Sequence, residues 1–195
     1  TDFKLIITGE GRVGKGALEV IAKTNIKKVS PKDFLSKKFN YPVYTQLDVE
    51  DYVSRDDDKS FDKSAFFNNP TGHSSTFMKY AKVANLYVAC HYWDNRSPFI
   101  FTRKDMVHPN WKISVVADVS CDIDGPVACS LRPSTIANPF YGYDPKSQKE
   151  VDFRSENNVG VMAVDNLPCE LPKDASLEFG KMFIDHVLEP LTGND

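Results

Sequence analysis

Three glycines are the first residues whose type and spacing suggest chemistry. Gly9, Gly11 and Gly14 stand at G-x-G-x-x-G, between the apolar run Leu5-Ile6-Ile7-Thr8 and an amphipathic segment that begins at Arg12. In that context the spacing suits a dinucleotide. The first glycine makes a tight turn, the second lets a pyrophosphate approach the backbone, and the third lets helix and strand pack closely. The phosphates would meet the N–H groups of the helix N-terminus, where the helix dipole favours negative charge. The same residues admit a second chemistry. Gly9-x4-Gly14-Lys15 also begins a P-loop, but Gly16 stands where that motif needs a magnesium-holding Ser or Thr. The strand-like run Ile113-Ser114-Val115-Val116-Ala117-Asp118 would be its second element. A glycine turn that binds nothing is the third reading.

Other groups carry weaker signals. A dinucleotide-binding unit that prefers NAD should end its second strand near an acid, which accepts from the ribose 2′-OH. Reading Ile26 to Ser30 as that strand places Ser30-Pro31-Lys32 at its end. A hydroxyl beside a lysine tolerates a 2′-phosphate, so the expectation leans to NADP over NAD. Against this, Ser30 can simply cap a short helix. Asp118-Val119-Ser120-Cys121-Asp122-Ile123-Asp124-Gly125 looks like a metal loop, but Ile123 and Cys129 occupy the places where an EF-hand needs Gly and Glu. It reads instead as a strand-end loop beside a nicotinamide ribose. His91 reads first as a hydrogen-bonded core residue, and Cys121 as an inert thiol with no histidine placed beside it. His73, His108 and His186 have no metal-ligand spacing, and no metal is expected.

The elements that must position these groups follow from periodicity. Phe3 to Thr8 reads as a first strand, and Arg12 to Lys23 as a helix with Val13, Ala17, Val20 and Ile21 on its buried face. Lys32 to Lys38 suggests a brief helix. From Tyr41 to Lys79 the pattern degrades into a long surface excursion, with room for short helices and too long for a simple connection. Order returns with a buried strand over Ala84 to Trp93, a Thr102-capped helical turn, a strand over Trp111 to Val119, a hairpin over Thr135 to Tyr143, and a strand over Val159 to Val164. Pro172 to Glu189 reads as a last helix stopped by Pro190, with Phe179, Met182, Phe183 and Val187 as its buried stripe. Alternating strands and helices imply an α/β fold, Rossmann-type and doubly wound, with a mostly parallel sheet and a long insertion after the second strand. Ligands of such sheets bind beyond the carboxyl ends of the strands.

Composition narrows the class. The 195 residues are 41% hydrophobic and 12% aromatic, enough for one sizeable domain. A net charge of −3 argues against a nucleic-acid partner, and no apolar stretch approaches a membrane span. Four cysteines, Cys90, Cys121, Cys129 and Cys169, show no C-x-x-C pairing. Such thiols suit a reducing compartment, and the expected location is the cytoplasm, or the mitochondrion in a eukaryote.

Five pieces, in order, resemble one family. They are Gly9-Glu10-Gly11-Arg12-Val13-Gly14-Lys15-Gly16-Ala17; Tyr92-Trp93; Ala117-Asp118-Val119-Ser120-Cys121-Asp122; Asn138-Pro139-Phe140 with Tyr143-Asp144; and Val164-Asp165-Asn166-Leu167-Pro168 followed by Leu171-Pro172-Lys173-Asp174-Ala175-Ser176. Together they resemble the dinucleotide-binding domain of the lysine-ketoglutarate reductase and saccharopine dehydrogenase family, which groups with alanine dehydrogenase and transhydrogenase. The resemblance spans almost the whole chain and is weakest between Tyr41 and Lys79. It implies a Rossmann domain binding NADP or NAD in an enzyme that condenses lysine with 2-oxoglutarate to saccharopine, or runs the reverse. Carried over by motif, Gly9 and Gly14 shape the turn, and Gly11, Arg12 and Val13 contact the pyrophosphate. Ser30 faces the adenine ribose, and Tyr92 packs near the cofactor. Val119, Ser120, Cys121 and Asp122 line the ribose and nicotinamide side, and Asp165, Asn166 and Leu167 close the nicotinamide end. The family's proton-transfer Lys and His belong to an amino-terminal substrate domain, so residues 1–195 are expected to be a domain of a longer enzyme, partnered by that domain and by small-molecule amino and 2-oxo acids. The competing readings are a P-loop nucleotide hydrolase and a dinucleotide-sensing module without a reaction.

Overall fold

The first strand organises everything that follows. In the computed structural model, which describes residues 2–193, β1 (Lys4–Thr8) is buried along its whole length. Its side chains alternate between the two faces of a sheet. Leu5 and Ile7 pack with Ile21 and Cys90 on one face, while Ile6 joins the larger core on the other. Each such fully buried aliphatic side chain contributes about 1.5–3 kcal/mol. Lys4 is buried too, because its ammonium donates to Phe34 O (2.6 Å) and Lys37 O (2.9 Å).

The chain then runs through α1 (Arg12–Ile21), β2 (Lys27–Lys28), α2 (Pro31–Ser36), β3 (Val43–Leu47), α3 (Val49–Tyr52), β4 (Val53–Arg55), α4 (Lys63–Asn68), β5 (His73–Ser75), α5 (Met78–Ala81), β6 (Leu86–Ala89), α6 (Arg103–Met106), β7 (Val115–Asp118), β8 (Phe140–Asp144), β9 (Lys149–Val151) and β10 (Val159–Met162). The main sheet has the order β2-β3-β1-β6-β7-β10-β8-β9. Its first six strands are parallel, and β8 and β9 extend it antiparallel. This is the expected Rossmann-like, mostly parallel α/β sheet. β4 and β5 form a separate antiparallel pair.

Four expectations change. The strand beside β1 is β3, whereas the run read as strand two supplies only the two-residue edge strand β2. Residues 43–47 therefore belong to the centre of the sheet, and the long insertion begins at Asp48. It is built of short regular pieces rather than irregular chain. Asp48 and Asp51 form a capping box on α3, and Asp62 caps α4. On α1, Ile21 is buried and Ala17 and Leu18 are packed beneath it, but Val20 is 68% exposed. The hairpin expected over Thr135 to Tyr143 lies later, in β8 and β9, with the Asp144–Gln148 turn between them.

The described chain divides into two units, the first running to Val164 and the second beginning at Asp165. Within the second, a 3₁₀ turn (Leu167–Glu170) leads into α7 (Pro172–Phe183), a wide π turn (Ile184–Leu188) and α8 (Glu189–Thr192). Pro190 does not stop this helix. It lies directly after the wide turn, within helical backbone that runs on through Leu188 and Glu189. The stripe Phe179, Met182, Phe183 and Val187 is exposed rather than buried.

One packing constraint is testable. A Cβ on Gly14 would lie 2.2 Å from Gly9 O, whereas a Cβ on Gly16 meets nothing within 4 Å. Gly14→Ala should lower unfolding stability by about 1–3 kcal/mol through overpacking. Gly16→Ala, inside the same helix, should raise it by about 0.5–1 kcal/mol. Chemical denaturation of both variants checks the pair; equal effects would mean that helix and turn do not meet as described.

Candidate functional site

The sheet order reverses at β1. The chain crosses from β1 to β3 on one side, then returns to β6 on the other. Crevices beyond the carboxyl ends of strands at such a point are where ligands of doubly wound sheets bind. A cavity of about 620 Å³ opens there, within the size range of small-molecule and cofactor sites.

Its floor is the glycine turn. Gly9 has φ +95°, a left-handed conformation that favours glycine, and a Cβ there would lie 2.4 Å from Cys90 O. Its N–H donates to Leu47 O (3.2 Å), and its carbonyl accepts from Gln46 Nε2 (3.0 Å). The turn is thus pinned between β3 and β6. Gly11 caps α1 with no side-chain hydrogen bond, and no acid stands in the first turn. A Cβ on Gly11 would meet only open space. Close packing at Gly9 and Gly14, with room at Gly11, is the division of labour a pyrophosphate-binding turn needs.

Most residues singled out from the sequence meet here. Gly9, Gly11, Arg12, Val13, Tyr92, Val119, Ser120 and Asp122 line the cavity. Gly14 lies behind the turn, buried against Gly9. Ser120 donates to the carbonyl of His91 (2.8 Å), which ties the loop after β7 to the loop after β6. Two of the expected residues lie apart from this lining. Cys121 does not line the cavity, because its thiol turns away to donate to Ala163 O (3.2 Å) and its backbone is held at φ +53°. Ser30 follows the edge strand, not the strand beside β1. Its hydroxyl accepts from the Asp33 N–H (3.1 Å) as the cap of α2. Asp165, Asn166 and Leu167 open the second unit.

The residue missed is Asp48. It ends β3, the strand beside β1, and lines the cavity. Its Oδ1 accepts from the Val49 N–H (2.7 Å) and its Oδ2 from Lys63 Nζ (2.5 Å). Lys63 also lies 3.8 Å from Glu10. The insertion supplies the facing wall: Tyr52 from α3 and Phe66 and Phe67 from α4.

Burial sets the electrostatics of the opposite end. His91 is pushed down to about 4 by desolvation and is neutral at pH 7. Burial pushes the Cys90 thiol up to about 11, so it is a protonated, unreactive group. Burial also raises the Asp118 carboxyl, against hydrogen bonds from Ser130 and the Cys121 N–H that lower it. Asp118 braces the loop after β7 and is not among the cavity-lining residues.

No family model matches the chain. The alpha-aminoadipic semialdehyde synthase of Arabidopsis thaliana is 29% identical over 90% of this chain and 18% of its own length. The mitochondrial enzyme of that name from Mus musculus is 28% identical over 95% of this chain and 22% of its own. An NAD(+)-linked, L-lysine-forming saccharopine dehydrogenase of Schizosaccharomyces pombe is 29% identical over 54% of the chain. A solved L-alanine dehydrogenase aligns over 96% of the chain with a TM-score of 0.46 and 16% identity. The chain spans about a fifth of the length of the semialdehyde synthases it matches. The chain is thus similar to alpha-aminoadipic semialdehyde synthases and to a saccharopine dehydrogenase, the same family that its five motifs resemble.

Proposed function

We propose that this chain is the nicotinamide-dinucleotide-binding part of an oxidoreductase of lysine metabolism, one that forms saccharopine from lysine and 2-oxoglutarate or oxidises it in reverse. The observation that supports this best is the glycine turn at the sheet's switch point, tight at Gly9 and Gly14 and open at Gly11. The relatives supply the reaction class. A location in the cytoplasm or the mitochondrion, the compartment in the mouse relative's name, belongs to the same reading.

In this reading Gly11, Arg12 and Val13 hold the pyrophosphate at the N-terminus of α1. Asp48 accepts from the adenine ribose, a role that favours NAD because a carboxylate repels a 2′-phosphate. Lys63 partly offsets that charge. Val119, Ser120 and Asp122 face the nicotinamide end, and Tyr52, Phe66 and Trp93 keep water from it. The nicotinamide, when bound, supplies or accepts the hydride; the chain binds and orients it. A P-loop reading would aim Asp118 at magnesium, but that carboxylate is buried on Ser130 and the Cys121 N–H.

Gly11→Val should fold, since the new side chain enters open space, and should bind NAD at least about a hundredfold more weakly, or ~2.7 kcal/mol. Calorimetric titration reads this, and unchanged affinity in a folded variant would remove the central claim. Asp48→Asn keeps a capping acceptor and removes the charge. It should shift the ratio of NAD to NADP affinity towards NADP by about tenfold, or ~1.4 kcal/mol, while Ser30→Asp leaves the ratio unchanged. The purified 195 residues should bind cofactor but show no absorbance change with lysine, 2-oxoglutarate and reduced dinucleotide. Steady turnover would locate the proton-transfer groups inside them.

A further inference from the structure

His91 carries a polar atom that the fold leaves unused. The residue follows β6 and is 7% exposed. Its Nδ1 lies 2.9 Å from Thr8 Oγ1, and the Tyr87 hydroxyl lies 2.9 Å from the same oxygen and 3.5 Å from Nδ1. Its other nitrogen, Nε2, is buried and has no partner. The ring stands in the wall of the cleft beside Gly9 and Ser120, with Tyr52 edge-on at 6.5 Å.

Counting protons favours one nitrogen as the carrier of hydrogen, the one that leaves fewer groups unpaired. Three groups, the Tyr87 hydroxyl, the Thr8 hydroxyl and a neutral imidazole, share this buried cluster. If Nδ1 carried the proton, it would donate to Thr8, Thr8 would donate to Tyr87, and the phenolic proton would have no acceptor among its recorded partners. If Tyr87 donates to Thr8 and Thr8 donates to Nδ1, every hydroxyl proton is placed. The imidazole proton is then on Nε2, pointing away from the cluster. Desolvation holds the ring neutral, so a single proton is all it has. A buried donor left unpaired is expensive; Nε2 has no exposed surface of its own but belongs to a cleft-lining ring, so a small shift of the wall on ligand entry would let a ligand acceptor complete the bond.

We propose that His91 Nε2–H is a binding donor for the dinucleotide, hydrogen-bonding an oxygen of its diphosphate and ribose bridge. This rests on the cofactor reading above. It extends the turn's grip from the N-terminus of α1 to the loop after β6. Thr8 and Tyr87 are positioning residues that set the tautomer. AMP lacks the diphosphate bridge and the second ribose, so it should not engage His91.

The test uses the 195-residue chain with ADP-ribose and AMP as probes. Long-range nitrogen-proton NMR on the free protein should show the Nε2–H tautomer. ADP-ribose should move that proton downfield, and AMP should not. His91→Phe keeps the ring volume and removes both nitrogens. With folding verified by its melting transition, it should bind ADP-ribose about tenfold more weakly and AMP unchanged. His91→Gln, whose amide can place a donor near the Nε2 position, should recover part of the loss. An Nδ1–H tautomer, or an Nε2 proton indifferent to ADP-ribose, overturns the proposal. So does unchanged affinity in a folded His91→Phe variant; if Gly11→Val still abolishes binding, the cofactor reading survives and only the role of His91 falls. A parent chain that binds neither ADP-ribose nor NAD removes both.

Discussion

The arrangement depends on one close approach. Where β1 ends, its backbone must pass beneath the start of α1 and beside the end of β6 with no side chain between. A Cβ at Gly14 would lie 2.2 Å from Gly9 O, and one at Gly9 would lie 2.4 Å from Cys90 O. Interiors are packed too closely to absorb such overlaps without moving whole elements. The contact therefore sets how near α1 stands to the sheet and where its N-terminus points. It also sets how far the loop after β6 can lean over the turn. Because the Gly9 N–H is bonded to Leu47 O, the end of β3 is held in the same frame. Three strand ends are thereby gathered around one cavity, and each delivers a different chemistry to it.

Much of this was legible in the residues. The glycine spacing, the apolar run before it and the parallel alternation of elements located the turn, the fold class and the cleft. Eight of the residues singled out from the sequence line one cavity. What was not legible was strand order. Ile26 to Ser30 looks like the next strand because it follows the first helix directly, yet only Lys27–Lys28 pairs, at the sheet's edge. β3 hides because its alternation is partly polar: Val43, Thr45 and Leu47 are buried, and Tyr44 and Gln46 are not. Missing β3 meant missing Asp48, since an acid matters here only by ending the strand beside β1. Periodicity reports which face of a strand is buried. It does not report which neighbour that strand chooses.

Cys121 and the helical stripe of the second unit sit differently from expectation for related reasons. The motif put Cys121 among cleft residues, but loop curvature at φ +53° sends its thiol to a backbone carbonyl. The spacing of Phe179, Met182, Phe183 and Val187 does mark one helical face. Spacing identifies an apolar face without saying whether the same chain covers it, and these side chains are exposed.

The lysine on α4 gives the cleft an uneven character. Lys63 joins Asp48 at the end of β3 and lies near Glu10 in the glycine turn, with all three groups partly in solvent. At the other end one half-buried carboxyl, Asp122, stands among uncharged groups: a buried imidazole, aromatic rings and a protonated thiol. Dissolved ions weaken attractions between exposed charges and barely touch buried, uncharged contacts. Ionic strength therefore acts more strongly on one end of this cavity than on the other. The half that would meet an adenosine is tuned by its medium, while the half that would meet a reacting ring feels it less.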